Sequence, residues 1–224
     1  MHSIKLAIFD LDGTLLNTIS DLAQSTNFAL QQNDFSGHPI EAYKFFVGNG
    51  INKLFERALP ENEKTEENII RIKKSFIPYY DEHNTDYTKP YEGIDELLKT
   101  LQSKGCMLAV ASNKYHAATE KLIKYSFPDI SFEAVLGQRE NVPVKPDPAI
   151  VYDILKITDV SPEEAIYIGD SGVDMLTASN SGIFSIGVTW GFRPRAELEA
   201  AGANYIADTT AEILKLLQIE SAVQ

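Results

Sequence analysis

The chain has 224 residues, 44% of them hydrophobic, enough to bury a sizeable core as one large domain or as one domain carrying a smaller insert. With 32 acidic against 20 basic side chains, the formal net charge of −12 argues against non-specific binding to nucleic acid or to an anionic membrane surface. An anionic substrate would need a local cationic site that overcomes this field. The single cysteine, Cys106, excludes an internal disulfide, and its place in "CMLAVAS" reads as a buried strand thiol. "MHSIK" leads straight into the first strand without a cleavable signal segment, and no apolar run approaches membrane-spanning length, so a cytoplasmic protein without membrane or nucleic-acid partners is expected.

The first element is "LAIFDLDGTLLNT", residues 6–18. An apolar run suited to a buried strand ends in Asp10 and Asp12, followed at once by Gly13 and Thr14. A carboxylate costs several kcal/mol to bury unless something pairs with it, and a second one beside it repels the first. A cation or a reaction must account for them.

Residues 17–85 contain few strand-like runs and several helical ones, and read as a small helical domain inserted after the first strand. Ile51, Leu54, Phe55, Ala58 and Leu59 recur at helical spacing. Ile69, Ile72 and Phe76 mark another helix, which Pro78 is expected to kink or end. Tyr79 and Tyr80 are expected in the core of this insert. Lys53 and Arg57, four apart on one helix, suit either a solvated face or an anionic substrate.

After about residue 90, β-rich runs alternate with helices: "CMLAVAS" (106–112), "FEAVLG" (132–137), "AIYIGD" (165–170), "FSIGVTW" (184–190) and "NYIA" (204–207). Helices are expected near 115–125, from 147, from 173, at 195–201 and at 211–217. Repeated βαβ units of this kind imply an α/β fold with a doubly wound parallel sheet covered on both faces. The boundaries read as 1–16 and 86–224 for the α/β core and 17–85 for the helical insert.

Ligands of an open parallel sheet bind beyond the carboxyl ends of its strands. There the sequence places Asp10, Asp12, Gly13 and Thr14; then Ser112, Asn113 and Lys114; then Lys145 in "VKPDP"; then Asp170, Ser171 and Asp174. Carboxylates, a small hydroxyl and a lysine at one edge suit phosphoryl transfer through an aspartate, which attacks phosphorus and splits one hard displacement into two. Carboxylate and phosphate repel each other, so a hard divalent cation is required, with Mg²⁺ favoured. The lysine and the hydroxyl complete an electrostatic clamp on phosphate, and a second aspartate can move the proton of the leaving alcohol.

"DLDGT", "ASNK", "KPDP" and "GDSGVD" resemble, in order, the nucleophile, Ser/Thr, lysine and acidic motifs of the haloacid dehalogenase-like superfamily of phosphohydrolases. The resemblance spans nearly the whole chain. It implies a Rossmann-like core with a helical cap, Asp10 as nucleophile and Asp12 as general acid/base. Ser112, Asn113 and Lys145 would meet the phosphoryl group. Mg²⁺ would be held by Asp10, Asp170 and the Asp12 main-chain carbonyl, while Asp174 would orient Lys145 or metal-bound water.

"LLNTISDLA", "FVGNGINKLFERAL", "GVTWGF" and "AGANYIADT" are similar to the phosphoglycolate phosphatases within that superfamily. A small phosphorylated metabolite is the expected partner, 2-phosphoglycolate the first candidate, with its carboxylate met by Asn49 or by backbone N–H groups of the Gly48–Gly50 turn. A phosphomutase of the β-phosphoglucomutase type, an inorganic pyrophosphatase and a non-catalytic binding protein are the alternatives, and the chain is expected to be a monomer or small homo-oligomer. Trp190 reads as packing at a strand end. His2, His38, His83 and His116 show no ligand spacing.

Overall fold

The computed structural model describes residues 4–218, so the reading of His2 lies outside the described residues. Strand β1 (Leu6–Phe9) is buried at every position. Its alternation sends Leu6 and Ile8 into one hydrophobic cluster and Ala7 and Phe9 into another, as a strand covered on both faces requires. A two-residue strand, β2 (Leu16–Asn17), leads into helices α1 (Ile19–Gln31), α2 (Ile40–Phe46), α3 (Ile51–Ala58) and α4 (Glu66–His83). The chain returns through β3 (Lys89–Pro90) to α5 (Ile94–Ser103).

From there strands and helices alternate: β4 (Met107–Tyr115), α6 (His116–Ser126), β5 (Ala134–Gln138), α7 (Ala149–Thr158), β6 (Ala165–Gly169), α8 (Gly172–Ser181), β7 (Phe184–Val188), α9 (Arg195–Ala200), β8 (Tyr205–Ala207) and α10 (Thr210–Leu216). The six long strands form one parallel sheet in the order β5-β4-β1-β6-β7-β8. Leu97, Leu101, Leu122 and Ile213 from α5, α6 and α10 pack with Phe9 on one face; Ile154 and Ala178 from α7 and α8 pack with Ile8 and Tyr167 on the other. This is the doubly wound α/β architecture expected from the alternation. Because β4 lies on one side of β1 and β6 on the other, the connections diverge beyond the carboxyl end of β1, the place where such sheets bind ligands.

Helices α1–α4 have a hydrophobic cluster of their own, built on Leu22, Leu30, Tyr43, Phe55, Ile72 and Phe76. Helix α4 starts where Thr65 accepts a hydrogen bond from Asn68 N at 3.2 Å, and it is not ended at Pro78 but runs on to His83. Proline removes the donor that would bond the carbonyl of Lys74; both residues are exposed, so water can satisfy that carbonyl. No helix among the described residues is long and apolar enough to cross a membrane.

The two crossings between sheet and insert run side by side. β2 and β3 pair antiparallel, Leu16 opposite Pro90 and Asn17 opposite Lys89, and Tyr91 N donates to Leu15 O at 3.2 Å. Next to this ribbon the buried Asp21 carboxylate of α1 accepts from Thr88 N at 2.8 Å, from Thr88 Oγ1 at 2.7 Å and from Tyr87 N at 3.0 Å. An unpaired buried donor is costly, so Asp21→Ala is expected to lower the unfolding free energy by about 2–3 kcal/mol. Equilibrium denaturation reads this directly; an unchanged midpoint would mean that the ribbon does not depend on Asp21.

Candidate active site

Asp10 follows the last residue of β1, and its N–H donates to Ile168 O at 2.9 Å, extending the ladder by one step and fixing the carboxylate at the sheet edge. Lys145 Nζ lies 2.9 Å from Asp10 Oδ1 and 2.7 Å from Asp174 Oδ1, and also donates to Ala111 O at 2.9 Å and Tyr167 Oη at 2.9 Å. The ammonium is thus bound on every side and almost fully buried. Burial works against its charge, but Asp10 and Asp174, then Tyr167, outweigh it and hold the Lys145 pKa well above the ordinary lysine value.

Asp174 belongs to the first turn of α8, where its Oδ2 accepts from Ser171 Oγ at 2.6 Å and Ser171 N at 3.1 Å. Its two oxygens are therefore divided between capping a helix and holding Lys145. Asp170 ends β6 and its Oδ2 accepts from Phe192 N at 2.6 Å. The backbone comes this close because two residues beside the carboxylate lack a Cβ: one added at Gly13, whose φ is +87°, or at Gly191 would overlap Asp170 atoms.

Oxygens of Asp10, Asp170 and Asp174 lie within 4.8 Å of one another. Burial, the neighbouring Asp174 charge and the opposing pull of Lys145 leave the Asp10 carboxyl raised to about 7. Burial, then Asp174 and Asp10, also push Asp170 well above the usual carboxylate range, against the Phe192 N–H that lowers it. One lysine does not balance this cluster, and an oxygen-ligated divalent cation suits it.

Asp12 points elsewhere. Its Oδ1 accepts from Thr18 Oγ1 at 2.7 Å and its Oδ2 pairs with Lys114 Nζ at 3.0 Å, so the Asp12 side chain is not in the acidic cluster. Ser112 is buried within β4, its Oγ accepting from Lys114 N at 3.2 Å. Asn113 differs from the expected phosphate contact. Its Nδ2 donates to Gly48 O at 2.9 Å and Lys145 O at 3.1 Å while its Oδ1 accepts from Lys145 N at 2.8 Å, so its amide braces two loops.

A narrow cavity with about 40 Å³ of space lies between sheet edge and helices. Asp10, Asp12, Ser112, Asn113 and Lys114 line it from the sheet, and Leu22, Val47, Gly48, Gly50, Ile51, Leu54, Phe76 and Tyr80 from the insert. Asn49 does not line it: the Asn49 Oδ1 accepts from Arg57 Nη2 at 2.7 Å, and Arg57 also donates to Phe46 O at 2.9 Å. Gly48 and Gly50 both have positive φ, which bends the turn so that it faces the cavity through backbone. Lys53 pairs with Glu56 on the surface. Trp190 packs at the strand end as expected and donates to Thr14 O at 3.1 Å.

Several participants escape a reading by motif. Tyr167 alternates within a strand like any core residue, and Thr18 and Tyr80 sit in segments with no charged pattern. Lys114 had a signal, being adjacent to Ser112 and Asn113 in "ASNK". The Phe192 N–H is a backbone donor that no side-chain motif encodes.

Residues 7–188 match the family described as haloacid dehalogenase-like hydrolase. The chain belongs to this family. It is 32% identical over 219 residues to the phosphoglycolate phosphatase of Mannheimia succiniciproducens, covering 95% of this chain and 98% of the relative, and 32% identical to that of Pasteurella multocida, covering 97% and 100%. A haloacid dehalogenase-like hydrolase from Streptococcus pneumoniae superimposes with a TM-score of 0.87 at 25% identity, covering 97% of this chain and all of the other. With this site and these relatives, the protein is a phosphatase, a phosphoric monoester hydrolase similar to the phosphoglycolate phosphatases.

The close approach at Asp170 has a measurable consequence. Gly191→Ala is expected to displace the carboxylate and to lower kcat for a phosphomonoester roughly a hundredfold. Phosphate release, compared with a melting curve that shows the variant folded, checks this; an undiminished kcat would separate Asp170 from catalysis.

Proposed function

We propose that the enzyme hydrolyses a small phosphorylated acid, 2-phosphoglycolate first among candidates, through an aspartyl-phosphate on Asp10, with Mg²⁺ as its metal. The observation that carries this reading is the placing of two carboxylates on one cavity floor with different partners: Asp10 against Lys145, and Asp12 against Lys114 and Thr18.

An Asp10 oxygen attacks phosphorus, and the bond to the ester oxygen breaks as Asp12 gives that oxygen a proton. Asp12, now ionised, takes a proton from water; the water oxygen attacks phosphorus, the acyl-phosphate bond breaks and inorganic phosphate leaves. Lys145 holds the Asp10 carboxylate in place and offsets the charge it shares with the phosphoryl group, and the Ser112 hydroxyl is placed to donate to a phosphate oxygen. Asp10, Asp170 and the Asp12 carbonyl would hold Mg²⁺, with Asp174 behind them. When bound, the ion supplies the positive charge that lets a carboxylate and a phosphate dianion approach.

The substrate reading draws support from the relatives named phosphoglycolate phosphatase and from the cavity, which has no room for a phosphoprotein. The helices α1–α4 act in this reading as a cap domain over an α/β core. Gly48 and Gly50 line the same space through backbone, whereas Asn49 itself holds Arg57.

Chelator is expected to abolish turnover of 2-phosphoglycolate, with Mg²⁺ restoring it and Ca²⁺ restoring little, because its larger and looser coordination misplaces the attacking carboxylate. Full turnover in chelator would remove the metal from the reaction. Asp10→Asn is expected to form no phosphoenzyme, while Asp12→Asn forms it and releases phosphate slowly; acid-quenched labelling distinguishes the two. Preference for pyrophosphate, or transfer of phosphate to sugar without release, would replace this substrate assignment.

A further inference from the structure

Tyr80 is fully buried and is one of the residues lining the cavity, and its hydroxyl has no hydrogen-bond partner among the described residues. Its ring is fixed, stacked on Phe76 with centroids 5.0 Å apart. Lys114 Nζ lies 4.9 Å from the centre of that ring and bonds Asp12 on its other side. Buried polar groups in folded proteins are bonded almost without exception, so an orphaned hydroxyl in a substrate cavity marks a place where a ligand supplies the missing partner.

The surroundings say what kind of ligand. Leu54, Phe76 and Val47 form the apolar wall around Tyr80, and Lys114 is the one cation among the residues lining the cavity. Asn113 spends its amide on backbone, and Tyr115 donates its hydroxyl to Asp81. That leaves a phenolic O–H and the two N–H bonds of Lys114 that Asp12 does not use. Burial, and then the charge of Asp12, push the Tyr80 phenol well above its ordinary pKa, so it remains a donor. Two donors, one of them charged and set over the ring of the other, are the complement of a carboxylate.

We propose that Lys114 and the Tyr80 hydroxyl form the subsite that recognises an anionic group on the leaving-group side of the substrate. The inference rests on the phosphatase reading above and names residues for its acid specificity. Its geometry follows from Asp12: the ester oxygen must come to Asp12 to be protonated, and Lys114 touches Asp12. A carboxylate separated from the ester oxygen by a single methylene group therefore arrives beside Lys114, with Tyr80 closing its other side. Binding the anion also draws Lys114 off Asp12, freeing a carboxylate oxygen that takes up a proton from water and turns it to the leaving group. Substrate recognition and release of the acid are then one event.

The test compares 2-phosphoglycolate with ethyl phosphate, which has the same ester but no carboxylate. In wild-type enzyme kcat/KM is expected to favour phosphoglycolate. Tyr80→Phe keeps the ring and removes the orphan hydroxyl; it should lower the ratio of the two kcat/KM values about tenfold, mostly through KM. Lys114→Met should lower the ratio further. A thermal melt supplies the structural control: deleting a hydroxyl that only packs inside the cap would alter Tm and leave the ratio intact, whereas deleting a ligand-binding hydroxyl with no internal partner leaves Tm unchanged or raised. Calorimetric titration of phosphoglycolate into Asp10→Asn protein, with and without Tyr80→Phe, should show the same loss of affinity without turnover. If wild-type enzyme hydrolyses neither compound, the phosphatase reading fails. If it prefers phosphoglycolate and both substitutions leave that preference intact, the subsite is overturned and recognition passes to the Gly48–Gly50 turn.

Discussion

Everything at the sheet edge depends on one buried ammonium. Among the described residues, Lys145 Nζ is the only cation in contact with Asp10 and Asp174, which otherwise sit close enough to repel each other and Asp170. Its four oxygen partners come from four stretches of chain: the end of β1, the middle of β4, the interior of β6 and the start of α8. Breaking such a contact from one side leaves a buried charge uncompensated, a loss on the order of 3–5 kcal/mol. The same ion pair that orients the Asp10 carboxylate therefore also holds together the elements that carry it.

A second constraint is the way the helices are attached. The insert has its own hydrophobic cluster and joins the sheet only through the β2–β3 ribbon, yet contacts tie it down across the cavity. Asn113 reaches Gly48 O, and Arg193, beyond β7, donates to Val47 O at 3.0 Å and lies 5.4 Å from the Phe45 ring. The carbonyls they bond close off the C-terminal end of α2, which α3 and Arg57 also approach. These polar bonds stand beside an apolar contact, since Ala118 of α6 and Phe192 belong to the same hydrophobic cluster as the insert, and Tyr115 and Lys121 also reach Asp81.

The fold was legible because two periodicities dominate the sequence. Strands such as "AIYIG" are apolar throughout, as only a strand covered on both faces can be, and the helix carrying Ile51, Leu54, Phe55 and Ala58 shows a 3.6-residue repeat. The ribbon was not legible: two residues per strand, one of them Pro90, carry no pattern. In the site, the acids and Lys145 could be read because charge next to a buried strand demands an explanation. Asn113 and Asn49 were harder, since an amide serves a ligand or a backbone loop equally well and only the folded positions of Gly48, Lys145 and Arg57 decide between them. Tyr80 was readable as a core residue of the helical insert, and it packs in the cluster built on those helices; that its hydroxyl is buried without a partner among the described residues is a fact of tertiary packing alone.

A chain of net charge −12 that acts on phosphate must solve its own electrostatics locally. At the site, four carboxylates, Asp10, Asp12, Asp170 and Asp174, are set against two ammonium groups, Lys114 and Lys145. With all the acids ionised, the protein alone leaves the site two charges negative, which repels a phosphate dianion in a water-poor cavity where screening is weak. A single divalent cation would offset that deficit. Neither lysine is then free to act as an attractor at long range, because each is already neutralised by a carboxylate. Their contribution is instead positional: each holds one aspartate until the substrate, bringing its own negative charge, competes for the ammonium. With a divalent cation at the acidic cluster, the acidity of the chain and a phosphorylated substrate become compatible, because attraction is then left to the cation and orientation to the lysines.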